Sequence, residues 1–97
     1  MLALGISPSD HAYTQLMLAH AKKGMLDRVL ELEDEARNKY GLLPSVHRLN
    51  SVLLAYVKNK EPQKAEMYIK EMREEGLVPD VVSYTTLIQG YRDVNDL

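Results

Sequence analysis

The sequence predicts an all-α fold, an α-solenoid of stacked helix-turn-helix hairpins with a 35-residue period. The first observation behind this prediction is a repeat. A glycine followed three residues later by a proline recurs at intervals of 36 and then 35 residues, at Gly5 and Pro8, Gly41 and Pro44, and Gly76 and Pro79. The second observation is that apolar residues return every three or four positions between these landmarks, the spacing of one face of a helix. The third is that a single hairpin cannot bury both of its faces, whereas stacked hairpins can.

The first hairpin is predicted to consist of two helices separated by Gly24. The first helix spans Asp10–Lys23, and its apolar stripe consists of Tyr13, Leu16, Met17 and Ala21. The second helix spans Leu26–Tyr40, and its stripe consists of Leu26, Val29, Leu30 and Ala36. Gly41 is expected to end this helix, because a glycine adopts the left-handed backbone of a helix terminus most easily.

The second hairpin and the helix after it repeat this arrangement. Helices are predicted over Val46–Lys58, Pro62–Glu75 and Val81–Arg92. Pro62 suits the first turn of a helix, where its missing N–H group costs little. On the last helix the predicted apolar stripe consists of Val81, Tyr84, Leu87, Ile88 and Tyr91. The change of interval from 36 to 35 indicates one extra residue in the first hairpin, near Tyr40.

These landmarks divide the chain into the end of one repeat (1–9), two repeats (10–45 and 46–80) and the first half of another (81–97). Both ends fall within a repeat, and roughly three or more repeats are needed for a stable stack. We therefore expect a fragment of a longer solenoid, or a piece held in a larger assembly. Small residues that would let helices approach closely recur at Ala19, Ala55 and Gly90.

Composition excludes several classes of protein. The chain has 97 residues and no cysteine, which rules out a disulfide scaffold and cysteine chemistry. The net charge is −2, so no global basic field indicates nucleic acid. No apolar run approaches the ~18 residues of a membrane span. The histidines His11, His20 and His47 have no cysteine or acidic partner that completes a metal site. We expect no enzymatic activity, no metal and no cofactor.

The segment from Gly76 to Tyr91 resembles the pentatricopeptide repeat family. That family is built from helical hairpins of about 35 residues. Its link reads Gly-x-x-Pro-Asp and its first helix reads Val-Val-Thr-Tyr-Asn-Thr-Leu-Ile-x-Gly-Tyr, close to the residues found here. The middle repeat has the family length, and the resemblance covers essentially the whole chain. The chain departs from the family pattern at the residues Asp10, His11, His47 and Leu49 and at the insertion near Tyr40.

The resemblance implies binding of single-stranded RNA, with one base held by each repeat. The fifth residue of each first helix and the last residue of its repeat would read the base, which pairs Thr14 with Ser45 and Asn50 with Asp80. Thr85 would be a third reader. The family pattern associates an Asn and Asp pair with uridine, and a Thr with a small hydroxyl partner with a purine. Asp80 is also a good helix N-cap, so its two roles can coexist. The residues expected to stack on or wedge between bases are His11, His47 and Val82.

Charge is divided between the two sets of helices. The first helices of the repeats carry net positive charge and the second helices net negative charge. Because first helices line the concave face in this architecture, we expect a basic inner face suited to phosphates. Lys22 and Lys58 hold equivalent places in successive repeats and are the predicted contacts to the RNA backbone.

Three functions remain open on the sequence. The first is a sequence-specific RNA-binding module for processing, stability or translation of an organellar transcript, located in mitochondria or alternatively in chloroplasts. The second is a scaffold subunit of a mitochondrial ribosome or another large complex, with ribosomal or other organellar proteins as partners. The third is a tetratricopeptide-type peptide binder, which the 35-residue period and the Pro-Asp link disfavour.

Overall fold

The computed structural model describes residues 9–95, and every regular element in that range is helical. The helices are α1 (Asp10–Lys22), α2 (Leu26–Asp34), α3 (Val46–Lys58), α4 (Pro62–Glu74) and α5 (Val81–Asn95). The predicted solenoid of helical hairpins is confirmed. Of the predicted end of a preceding repeat, residues 1–9, all but Ser9 lie outside the described residues. Between residues 9 and 95, no helix is both long enough and apolar enough to cross a membrane.

The helices form two layers. α3 lies between α1 and α5 in one layer, and α2 and α4 form the other. One apolar cluster joins α1, α2 and α3 through Tyr13, Met17, Ala21, Val29, Leu32, Ala36, Val52 and Ala55. A second cluster joins α3 to α4 through Leu49, Leu53, Ala65, Ile69 and Met72. Because α3 supplies residues to both clusters, it is the central element of the stack.

The helices of the first layer all begin in the same way. The side chains of Ser9, Ser45 and Asp80 each accept a hydrogen bond from the backbone N–H three residues further on, at 3.2, 3.2 and 3.0 Å. Such a bond satisfies one of the free N–H groups of a helix terminus. The three caps follow the 36- and 35-residue spacing of the repeat, so each starts its helix at an equivalent place in the stack.

The extra residue of the first hairpin is accommodated in a π-helical turn, Glu35–Lys39, that continues α2. The Leu42 N–H donates to the Ala36 carbonyl at 2.9 Å and spans six residues, whereas in the second hairpin the Leu77 N–H donates to the Met72 carbonyl at 3.0 Å and spans five. A π turn holds one more residue than an α turn. The predicted helix Leu26–Tyr40 is therefore two segments, and the insertion does not shift α3.

Two expectations about packing are wrong. On α5, Val81, Tyr84 and Ile88 are 80%, 40% and 59% exposed, although they belong to the predicted apolar stripe and Tyr84 was expected to be a core residue. Within residues 9–95, no helix covers this side of α5 in the way that α4 covers α3. Ala55 and Gly90 are buried as expected at close helix contacts, but Ala19 on α1 is exposed.

A buried arginine connects α3 to three other parts of the fold. Arg48 is fully buried, and its Nε lies 2.8 Å from Glu33 Oε1 on α2. Its two terminal nitrogens lie 2.8 Å from Asp10 Oδ1 on α1 and from the Leu43 carbonyl in the link before α3. Burial raises the pKa of Glu33, an effect that the Arg48 guanidinium opposes. A buried charge is tolerated only when it is paired in this way.

We expect substitution of Gly90 by alanine to destabilise the chain. A Cβ atom at Gly90 would lie 2.6 Å from Val57 Cγ2 and 3.3 Å from Pro62 Cβ, so α5 or the Val57 side chain has to shift. Overpacking of this kind costs about 1–3 kcal/mol, whereas alanine in an open helix position would stabilise by about 1 kcal/mol. Urea unfolding followed by circular dichroism measures the difference, with Gln89→Ala as the exposed control on the same helix. A Gly90→Ala chain as stable as the original would contradict the close contact.

We expect Arg48→Met to lower the free energy of unfolding by about 3–5 kcal/mol, because it removes the hydrogen-bonded cation of the buried Glu33 carboxylate and leaves only Arg37, at 4.0 Å. The double variant Arg48→Met with Glu33→Leu removes both charges and should recover most of the loss. Arg28→Met is the matched control, because the Arg28–Glu31 pair is exposed and should contribute less than about 1 kcal/mol. Equal effects of the variants at Arg28 and Arg48 would show that the buried network does not hold the hairpins together.

Candidate nucleic-acid interface

A groove crosses the face of the first layer that points away from the second layer, where α1, α3 and α5 lie side by side. It has a volume of about 400 Å³. Its lining comes from all three helices and from the link before α5: Thr14, Gln15, Leu18, His47, Asn50, Ser51, Leu54, Asp80, Val82 and Thr86. On α1 and α3 each lining residue lies three or four positions from another one, because residues at that spacing share a helix face.

The groove brings together five of the ten predicted site residues. They are the base readers Thr14, Asn50 and Asp80 and the wedge residues His47 and Val82. Asn50 and Asp80 are 30 residues apart in sequence, and the Asn50 Nδ2 donates a hydrogen bond to Asp80 Oδ1 at 3.2 Å. We call the place where the second hairpin meets α5 the second junction, formed by Asn50, Asp80 and Ser83.

Asp80 serves as a helix cap and as the partner of Asn50 at the same time. Hydrogen bonds hold the pKa of the Asp80 carboxyl below its ordinary value. The largest effect comes from the Ser83 backbone N–H, and the side chains of Asn50 and Ser83 add to it. The carboxylate is therefore ionised at neutral pH and acts only as a hydrogen-bond acceptor.

The corresponding first junction, formed by Thr14, Ser45 and Arg48, is arranged differently. The Ser45 hydroxyl donates to the Asp10 carboxylate and accepts from the Arg48 backbone N–H at 3.2 Å. The Thr14 hydroxyl has no hydrogen-bond partner among the described residues. The structure therefore does not join the predicted readers Thr14 and Ser45 to each other, because Ser45 already bonds to α1 and α3.

Besides Ser45 and the two lysines, two further predicted site residues lie outside the groove lining. Thr85 is exposed on α5, and the lining position there is taken by its neighbour Thr86. His11 is exposed in the first turn of α1.

The expected basic inner face is much reduced. Arg48 contributes to the positive charge of α3 but is buried and paired, and the neighbouring Lys60 lies beyond the end of α3. The described residues that line the groove include no lysine or arginine, and Asp80 is the acidic residue among them. Lys22 and Lys58 are exposed in the last turns of α1 and α3. Each follows a lining leucine by four residues, so the two lysines extend the groove face toward one end.

Sequence reasoning missed several lining residues and one network residue. Gln15, Leu18, Ser51, Leu54 and Thr86 were not singled out, although each lies four residues after a predicted reader or wedge residue. Ser83 was also missed; the signal for it was the spacing Asp-x-x-Ser at the start of α5, typical of a reciprocal helix cap. Within residues 9–95, no three histidine or acidic side chains gather closely enough to hold a metal ion.

Comparison with known proteins gives one family throughout. The model of the PPR repeat family matches residues 44–93, and the model of the single PPR repeat matches residues 11–39. Both matches lie within the hairpins described above.

Curated relatives carry the same family name. One, a chloroplastic pentatricopeptide repeat-containing protein of Arabidopsis thaliana, is 24% identical over 94% of this chain and 18% of its own length. A second from the same plant is 30% identical over 94% of this chain and 16% of its own length. A third, also chloroplastic, is 26% identical over 94% of this chain and 12% of its own length. The chain thus spans less than a fifth of the length of these three relatives. From the repeat, the stacked hairpins and these matches, we conclude that the chain belongs to the pentatricopeptide repeat family.

Proposed function

We propose that this chain is a single-stranded RNA-binding module that reads one base at the second junction. The observation that carries the proposal is the hydrogen bond between Asn50 and Asp80 in a groove shared by three parallel first-layer helices. Two polar side chains that come from different repeats and meet in an open groove are suited to the edge of an unpaired base.

The second junction has unused hydrogen-bonding capacity. The Asn50 amide has two N–H groups, and only one is needed for the bond to Asp80. The Asp80 side chain makes its bonds to Asn50 and Ser83 through Oδ1, so Oδ2 adds an acceptor. The free donor of Asn50 and the free acceptor of Asp80 can meet the O4 acceptor and the N3–H donor of uracil. Because the family pattern also associates an Asn and Asp pair with uridine, we propose uridine as the preferred base.

The residues beside the readers favour a splayed, single-stranded ligand. His47 and Val82 are exposed and line the groove from α3 and α5. An imidazole ring can stack on the face of any base, and a branched aliphatic side chain can wedge against one. Such contacts add affinity for RNA with little sequence preference, so discrimination between bases depends on Asn50 and Asp80.

The role in the cell is proposed from the family and from the relatives. Relatives named as chloroplastic support an organellar location, and we propose action on an organellar transcript in its processing, stability or translation. The earlier expectation of mitochondria in particular remains a prediction. The scaffold alternative is favoured by one observation, the scarcity of positive charge along the described groove, and it is an outcome of the experiments below.

We expect Asn50→Thr combined with Asp80→Asn to change the preferred base at one position of the RNA and at no other. Asparagine caps a helix about as well as aspartate, so the start of α5 is preserved while the carboxylate acceptor is lost. The preference for uridine should fall about tenfold, the scale of one well-formed base contact. Binding of RNA oligonucleotides that differ by a single base measures this, with the cap exchange Ser9→Asn as control. Equal weakening on every sequence would count against base readout and in favour of a scaffold.

We expect Lys58→Gln to weaken binding of every RNA sequence alike. Removal of one phosphate contact should reduce the slope of log affinity against log salt concentration by about 0.7. A salt titration of binding measures the slope, and Lys70→Gln on α4, in the other layer, is the matched control. A slope that is unchanged by Lys58→Gln would show that this lysine does not meet the RNA backbone.

A further inference from the structure

A buried serine completes the second junction. Ser83 lies in the first turn of α5 and is fully buried. The Asp80 backbone N–H donates to Ser83 Oγ at 3.2 Å, while the Ser83 backbone N–H donates to Asp80 Oδ1 at 3.0 Å. This reciprocal arrangement satisfies two N–H groups at the start of the helix. It also fixes the position of the Ser83 oxygen relative to Asp80.

The single proton of the Ser83 hydroxyl has two acceptors within reach. One is Asn50 Oδ1, in very close contact, and the other is Asp80 Oδ1 at 3.2 Å. Because a hydroxyl donates only one hydrogen bond, the proton goes to the closer acceptor, the Asn50 amide oxygen. Asn50 is therefore held at both ends of its amide, with its oxygen at Ser83 and its nitrogen at Asp80.

This double contact disfavours the flipped amide. If the Asn50 amide turned over, its oxygen would face the Asp80 carboxylate, which only accepts hydrogen bonds. Its nitrogen would face the Ser83 oxygen, and the Ser83 proton would have to leave its close contact with Asn50 for Asp80 Oδ1 at 3.2 Å. Without the Ser83 hydroxyl, only the contact to Asp80 would oppose this rotation.

The first junction provides an internal comparison. By the repeat spacing, Arg48 holds the place of Ser83, but its side chain is turned into the core toward Asp10, Glu33 and Leu43. Thr14, in the place of Asn50, has no hydrogen-bond partner for its hydroxyl among the described residues. Of the two junctions, only the second has its first-helix reader fixed before a ligand arrives.

We propose that Ser83 is a positioning residue that determines base discrimination by fixing the orientation of the Asn50 amide; this inference rests on the RNA-binding function proposed above. A flipped amide exchanges a donor for an acceptor. Uracil and cytosine differ in the same way, since uracil has an oxygen acceptor where cytosine has an amino donor. Ser83 therefore controls the choice between uridine and cytidine. A group fixed in advance also spares the ligand the cost of ordering it.

The test compares the binding of two RNA oligonucleotides that differ only by uridine or cytidine at the position read by Asn50, using the full chain. Ser83→Ala should reduce the uridine-to-cytidine affinity ratio about fivefold, the scale of one neutral hydrogen bond. Ser83→Thr keeps the hydroxyl and should restore the ratio. Ser9→Ala is the matched control, because it removes a serine that caps a helix at the other end of the described stack. It should leave the ratio unchanged.

Each result supports or overturns the proposal. A Ser83→Ala chain that keeps the full ratio would overturn it, as would a loss that Ser9→Ala reproduces or that Ser83→Thr fails to restore. A wild-type chain that binds both RNAs equally would instead refute base readout at the second junction. In that case NMR of the chain without RNA tests whether Ser83 fixes the Asn50 amide. Asn50 side-chain amide signals that Ser83→Ala leaves unchanged would overturn the positioning role of Ser83. Signals that are altered by Ser83→Ala but not by Ser9→Ala would support that role.

Discussion

The buried guanidinium of Arg48 has to be paired, and this requirement determines how the first three helices meet. A charge without water around it is costly unless its hydrogen bonds are all made. Arg48 meets this condition with one partner on α1, one on α2 and one in the link before α3. Because each partner lies on a different segment, the pairing fixes the relative positions of all of them. The aspartate at the start of α1, unusual for the family, is explained by this pairing.

The same requirement explains why two equivalent junctions differ. In the first junction the polar groups serve the core, since Ser45 and Asp10 are both engaged around Arg48. In the second junction the small Ser83 takes the equivalent place, and the polar groups remain together at the groove. At the same repeat position, the long charged side chain of Arg48 makes the first junction a structural site. The short hydroxyl of Ser83 leaves the second junction as a candidate binding site.

The repeat tolerates irregularity where the backbone can absorb it. The π turn at Glu35–Lys39 holds the extra residue of the first hairpin inside a helix of the second layer. The link that follows still delivers Ser45 to the start of α3 as a cap. The first layer, which carries the groove, therefore keeps a regular spacing of helix starts although the chain between them varies in length.

Periodicity, glycines, prolines and capping residues predicted the helices and their order from the sequence, because these signals act within one or two helical turns. The bounds of α3 were predicted to the residue, and the start of every helix matched. The family resemblance paired Asn50 with Asp80 as base readers, and the structure joins the two side chains by a hydrogen bond at 3.2 Å, although their role as readers stays a prediction. The sequence also located the inserted residue, although not its π-helical form.

Only the tertiary structure decided which polar side chains remain available to bind a ligand. The burial of Arg48, the engagement of Ser45 and the place of Ser83 between Asn50 and Asp80 all depend on contacts between different helices. The exposure of Val81 and Ile88 likewise depends on whether a neighbouring helix covers them, which the periodicity of α5 does not reveal. The physical reason is that local patterns determine where a helix forms and which face is apolar, while pairing and burial depend on residues some 30 positions away.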